Sequence, residues 1–213
     1  MIYELRTYDL KPGSLPEVEK RFGEAYEKSR KFLELAAFWH TDIGPLNQII
    51  HVWPYKDLEE RAKLRSAAIN EGTWPPKIGE FMVKTRSDIM IPFAISPELK
   101  PGKMGPYYEM RIYQYAAGQL SKIVEAWEKT LAARLKYSPL CAAWYSELGE
   151  LNQFVHIWPY PSLDARMKLR LEMQAAGVWP PWIAAKKQEG IPTYEVLRQE
   201  SKILMPASFS PLQ

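Results

Sequence analysis

Residues 47–55 read NQIIHVWPY, and residues 152–160 read NQFVHIWPY. The two nonapeptides lie 105 positions apart. Set against itself at that offset, the chain matches without a gap from residues 3–76 onto 108–181, with 27 identities in 74 positions. Chance would give about four or five, so the match marks a duplication. YELRTY answers YEMRIY, RAKLR answers RMKLR, and GTWPP answers GVWPP. The register breaks after residue 76, because the second copy carries nine more residues. It resumes at an offset of 114, where SDIMIPFAISP meets SKILMPASFSP. The Pro/Gly-rich stretch SPELKPGKMGP reads as the linker. We assign residues 1–100 to the first repeat and 106–213 to the second.

Each copy has the same order of elements. IYELRTYDL alternates and is rich in β-formers, so it reads as a strand. A helix is expected over 14–35, with Leu15, Val18, Phe22, Tyr26 and Leu33 at helical spacing. Leu120, Ile123, Trp127, Leu131 and Leu135 repeat that stripe. AAFWHTDIG and NQIIHVWPY read as two strands joined at Gly44-Pro45. Asp57, with Glu60 three residues on, opens a second helix as a capping box, and Ser162 is the matching cap. Gly72 and Gly177 end those helices where a positive φ is wanted. Last strands are expected near 83–91 and 194–205. The extra residues PWIAAKKQEG are expected to extend a helix or loop. The unit is β-α-β-β-α-β, a ferredoxin-like half with helices on one face of its sheet. The other face must be covered, and two halves in one chain can cover each other. The expected fold class is therefore α+β, two ferredoxin-like repeats forming a dimeric-type α/β barrel with its helices outside.

YELRTY, NQIIHVWPY, the spaced arginines of the next helix and the following Trp together resemble the NIPSNAP family. The resemblance runs over essentially the whole chain, twice. It implies the dimeric α/β-barrel, ferredoxin-like superfamily, which includes small monooxygenases, isomerases and haem enzymes. Animal members are associated with mitochondria and with vesicle traffic. The resemblance carries no catalytic residues with it.

Composition sets the outer bounds. Of 213 residues, 46% are hydrophobic and 25% charged, which suits a globular protein with a substantial core. A net charge of +3 does not by itself imply nucleic acid or an anionic membrane. Cys141 is the sole cysteine, so no internal disulfide can form. No apolar run approaches the ~20 residues of a membrane helix. The chain opens on the strand-like MIYELRTY, and the location expected is cytoplasmic. No G-x-G-x-x-G, GKS, GKT or G-x-S-x-G occurs, and the aromatic strand motif of RNA-binding ferredoxin-like modules is missing. With one Cys and scattered His, no metal site and no cofactor are expected.

Strand period two sorts the side chains. Tyr3, Leu5 and Thr7 share one face, and Glu4, Arg6 and Tyr8 the other. Met110 and Ile112 stand against Glu109, Arg111 and Tyr113 in the same way. If the apolar face meets the helices, Glu4, Arg6 and Tyr8 point into the barrel. Ile49, His51 and Trp53 join them, with His156 and Trp158 in the second copy. Buried charges of this kind must be paired or wet. The expected ligand-binding candidates are Glu4, Arg6, Tyr8, His51, Trp53, Glu109, Arg111, Tyr113, His156 and Trp158. One function is a small-molecule site in a polar barrel interior, with a His beside a carboxylate serving as general base in a cofactor-independent enzyme. The alternative is a non-catalytic interaction or scaffold protein whose charges form a structural network. A homo-oligomer is expected in either case, with no nucleic-acid partner and no membrane insertion. Trp74 and Trp179 are expected to pin the WPP loops, the alternative being that they rim the mouth of a cavity. Arg61 and Arg65, like Arg166 and Arg170, are expected on a solvated or inter-domain face.

Overall fold

A computed structural model describes residues 1–213. The first repeat runs β1 (Ile2–Leu10), α1 (Leu15–Ser29), β2 (Ala37–Ile43), β3 (Gln48–Tyr55), α2 (Leu58–Asn70) and β4 (Met82–Pro92). The second runs β5 (Tyr107–Tyr115), α3 (Leu120–Leu135), β6 (Ala142–Leu148), β7 (Gln153–Tyr160), α4 (Leu163–Ala176), a four-residue α5 (Pro181–Ala184) and β8 (Val196–Pro206). The eight strands close one barrel in the order β1-β3-β2-β8-β5-β7-β6-β4. Every neighbouring pair is antiparallel. The repeats join through β2 with β8 and through β4 with β6, so closure happens within one chain. No helix is long and apolar enough to cross a membrane.

The duplicated nonapeptide earns its sequence at both ends. Asn47 and Asn152 each take φ 54°, a left-handed conformation that Asn tolerates better than most residues. Their carbonyls accept the N–H groups of Leu10 and Tyr115, which fixes β3 on β1 and β7 on β5. The caps also act as the residues suggest. Asp57 accepts the Glu60 N–H at 2.9 Å, and Ser162 accepts the Ala165 N–H at 3.0 Å. The Glu60 carboxylate reaches back one residue further than a capping box requires, to the Lys56 N–H. Gly72 and Gly177 follow α2 and α4 at φ 71° and 72°.

Helix α1 is shorter than its apolar spacing suggests. It stops at Ser29, where the serine hydroxyl bonds the Thr73 carbonyl. Leu33 and Leu35 still reach the core, but from the loop that follows.

The face assignment is reversed. The middle of the barrel is apolar, with Tyr3, Leu5, Trp39, Ile50 and Val52 meeting Tyr108, Met110, Trp144, Val155 and Ile157, while one end holds a polar cavity of about 130 Å³ lined by Thr7, Asp9, Gln48, Arg86, Asp88 and Lys202 among others. Tyr3 stacks on Trp144 with centroids 4.7 Å apart, and Trp39 lies 5.4 Å from Tyr108. The linker and the C-terminal tail plug one end, where Leu99 and Leu212 enter the same cluster. Glu4, Arg6, Tyr8, His51, Trp53 and their counterparts therefore lie outside the barrel, under the helices. The physical reason sits in α2 and α4. They bury only Ala68 and Met173, so they have no apolar stripe with which to cover an apolar sheet face. They bring arginines instead, and the charged strand face goes to its counter-charges.

Candidate functional site

Strand register assembles the two polar clusters. Opposite one another lie Glu4 and Trp53, then Arg6 and His51. The second repeat pairs Glu109 with Trp158 and Arg111 with His156. All ten sequence candidates thus fall into two equivalent sites, one between sheet and helices in each repeat. None of them lines a polar barrel lumen.

Each site is organised around one fully buried carboxylate. Glu4 accepts from Arg61 at 2.6 Å, Ser87 at 2.6 Å and Arg6 at 3.2 Å, with Arg65 at 3.6 Å. Glu109 accepts from Arg166, from Arg111 at 2.9 Å and from Ser201 at 2.9 Å, with Arg170 at 3.7 Å. The i, i+4 arginines of α2 and α4 are therefore neither a solvated nor an inter-domain face. They reach the glutamate of their own repeat. Burial pushes the Glu109 carboxyl up, but the bond from Arg166 and the surrounding guanidinium charges outweigh it and hold it at about 2. The same balance lowers Glu4.

The histidines are held in one tautomer. The indole N–H of Trp53 donates to Nδ1 of His51 at 2.6 Å, and Trp158 does the same to His156 at 2.6 Å. Nδ1 must then carry the lone pair and Nε2 the hydrogen. Burial, followed by nearby arginine charge, pushes both imidazoles well below their usual range. Both Nε2 atoms are buried without a hydrogen-bond partner. A neutral imidazole whose one lone pair is already occupied is a donor and no base, which removes the general-base role expected of it.

Trp74 and Trp179 pack edge-on under the helices. Trp74 meets Trp53 at 5.3 Å, and Trp179 meets Trp127 at 4.7 Å. The Trp74–Pro75 and Trp179–Pro180 peptide bonds are both cis.

The two sites differ in what surrounds this shared frame. In the first, Phe22 packs on Phe38, and Phe209 closes over both. In the second, Trp127 replaces Phe22, Ala143 replaces Phe38, and Arg134 replaces Ser29. A cavity of about 70 Å³ opens there to solvent, walled by Arg111, Tyr113, Trp127, Arg134, His156, Trp158 and Arg170. The lengthened segment of this repeat adds Trp182 and Tyr194 to the wall. Five of these wall residues were not among the sequence candidates: Trp127, Arg134, Arg170, Trp182 and Tyr194. Arg134 left a signal, as a long cation next to the apolar stripe of α3 where the first copy has Ser29.

The NIPSNAP family profile matches residues 3–97 and again 108–211. The chain belongs to the NIPSNAP family. Human NipSnap homolog 3B is 29% identical over 99% of this chain and 85% of its own length. The Dictyostelium discoideum NipSnap homolog is 28% identical over 96% of this chain and 87% of its own. Among solved structures, a proposed monooxygenase from Fusobacterium nucleatum superposes with a TM-score of 0.68. The superposition covers 97% of this chain and 92% of that one at 10% identity. An anthrone oxidase-like protein gives 0.59 at 12% identity, over 96% and 90% of the two chains. At such identities these structures share the barrel with this NIPSNAP chain, and the likeness extends to nothing else.

Proposed function

We propose that this NIPSNAP protein binds a small molecule between the sheet and the helices of its second repeat. The observation that carries the proposal is the cavity beside Arg134 and His156. Both residues are buried, and each leaves a buried N–H without a partner, at Nε of Arg134 and Nε2 of His156. Native proteins rarely leave such donors unpaired, and both side chains belong to the cavity wall. Aromatic side chains make most of the remaining wall, the usual composition of a small-molecule pocket with a few convergent polar groups. The histidine geometry supports binding by donation and not proton abstraction.

Native mass spectrometry of freshly purified protein tests this. The wild type is expected to retain a small-molecule mass that denaturation releases. Gln174 lies exposed at the rim, and Gln174→Trp is expected to lose that mass by closing the mouth. A retained mass unaffected by Gln174→Trp, or a bare chain mass throughout, would speak against the site.

A further inference from the structure

Arg134 is 1% exposed, yet it forms no ion pair with any carboxylate of the chain. Its guanidinium bonds neutral oxygens only, from Ser138 Oγ at 2.9 Å and the Tyr160 hydroxyl at 3.3 Å. It lies 3.8 Å from the ring centroid of Trp158, a cation–π stack. The carboxylate nearest in the cluster, Glu109, is already shared by Arg111, Arg166 and Arg170. Three guanidinium groups therefore share one carboxylate in the second repeat, and Arg134 feels that carboxylate only at a distance. The first repeat gathers three around Glu4, with Ser29 at the place of Arg134. A buried charge without a counter-charge is costly, and burial here pulls the Arg134 guanidinium below its ordinary value. The excess positive charge and the cavity coincide, since Arg111, Arg134 and Arg170 all stand on its wall.

Resting on the pocket proposed above, we infer that its ligand is a small aromatic molecule carrying one oxyanion, a carboxylate or a phosphate. The oxyanion sits against the wall that Arg111, Arg134 and Arg170 share, where charge-assisted bonds are the strong ones. A cavity of about 70 Å³ suits an anionic head of that size. The flat remainder lies along Trp179 and Trp182 towards the mouth, where planar rings stack well. Three arginines on the wall leave a neutral ligand without compensation for the charge it meets.

Isothermal titration calorimetry on the full chain separates the two claims. The probes are benzoate, its neutral isostere benzamide, and phenyl phosphate. Benzoate is expected to bind at least about tenfold more tightly than benzamide, and to weaken with added sodium chloride while benzamide does not. Arg134→Met should abolish the preference for benzoate. Arg65→Met, in the first repeat, should leave it intact. The salt dependence of the wild type needs no variant and keeps the test open should Arg134→Met fail to fold. A tenfold preference for phenyl phosphate over benzoate would assign the oxyanion to a phosphate ester, and the reverse to a carboxylate. Equal affinity for benzoate and benzamide would overturn the anionic class while leaving the pocket standing. No heat from any of the three would overturn both.

Discussion

The indole N–H of Trp158 donates to Nδ1 of His156 at 2.6 Å, and the pair Trp53 and His51 repeats that bond at the same length. Sequence spacing of two puts each pair on one strand face, and burial removes water as a competing donor. The consequence is thermodynamic. Both imidazoles stay neutral in the folded protein, whereas an unfolded histidine takes a proton near pH 6.5. The unfolded state then binds more protons as pH falls. Below about pH 6.5 each of the two should lower stability by up to about 1.4 kcal/mol per pH unit, while His40, raised by its bond with Glu19, acts in the opposite sense. Urea denaturation of the His40→Gln protein, which lacks the opposing group, at pH 7.5 and 5.5 checks this. Equal stability at the two values would mean that the histidines are not held neutral.

Removing the donor tests the bond itself. Trp158→Phe keeps an aromatic ring but leaves Nδ1 of His156 unpaired in the core. We expect a loss of about 1–3 kcal/mol by chemical denaturation. His156→Leu, on the wall of the pocket proposed for the second repeat, should reshape that wall as well, so it should weaken benzoate binding. His51→Gln should cost stability without touching that binding.

The arginine clusters give a second, more acidic limb. The Glu109 carboxyl is held at about 2, below its usual value. Its contribution is fully present above pH ~4.5 and is lost as pH falls towards 2. Glu109→Gln should remove it at neutral pH, costing about 3 kcal/mol because Arg111, Arg166 and Arg170 lose their counter-charge together. The difference between wild type and Glu109→Gln should shrink in acid. A difference that grows there would contradict the assignment.

Tyr3 and Trp144 stack across the two repeats inside the barrel. Trp144→Ala should open a void in the centre and cost about 3–5 kcal/mol. An interior built as a polar binding site would tolerate that change far better, so thermal unfolding of this variant separates the two arrangements.

The repeat, the order of elements and the caps were legible because they rest on local rules. Asp57, Ser162, Gly72 and Gly177 each answer to backbone geometry within a few residues. The grouping of Glu4, Arg6 and Tyr8 against Tyr3 and Leu5 was legible too, since period two is a property of one strand. Which face turned inward was not. That choice depends on what the helices offer, and the decisive signal was LEERAKLRSAAIN, a helix with too little apolar surface to cover Tyr3 and Leu5. Its arginines answer the Glu4 face instead. The difference between the two sites was hidden for another reason. It arises from unmatched positions, Arg134 for Ser29 and the segment bearing Trp182 and Tyr194, and attention to what repeats passes over what does not.

The most direct test follows the indole N–H signals of the tryptophans by heteronuclear NMR during a benzoate titration. The sequence holds eight tryptophans, distributed over the two sites and the barrel. The account predicts that Trp158, Trp179 and Trp182 shift and saturate together, while Trp53, Trp74 and the barrel pair Trp39 and Trp144 stay in place. Shifts centred on Trp39 and Trp144, or shared equally by Trp53 and Trp158, would contradict a single ligand site in the second repeat.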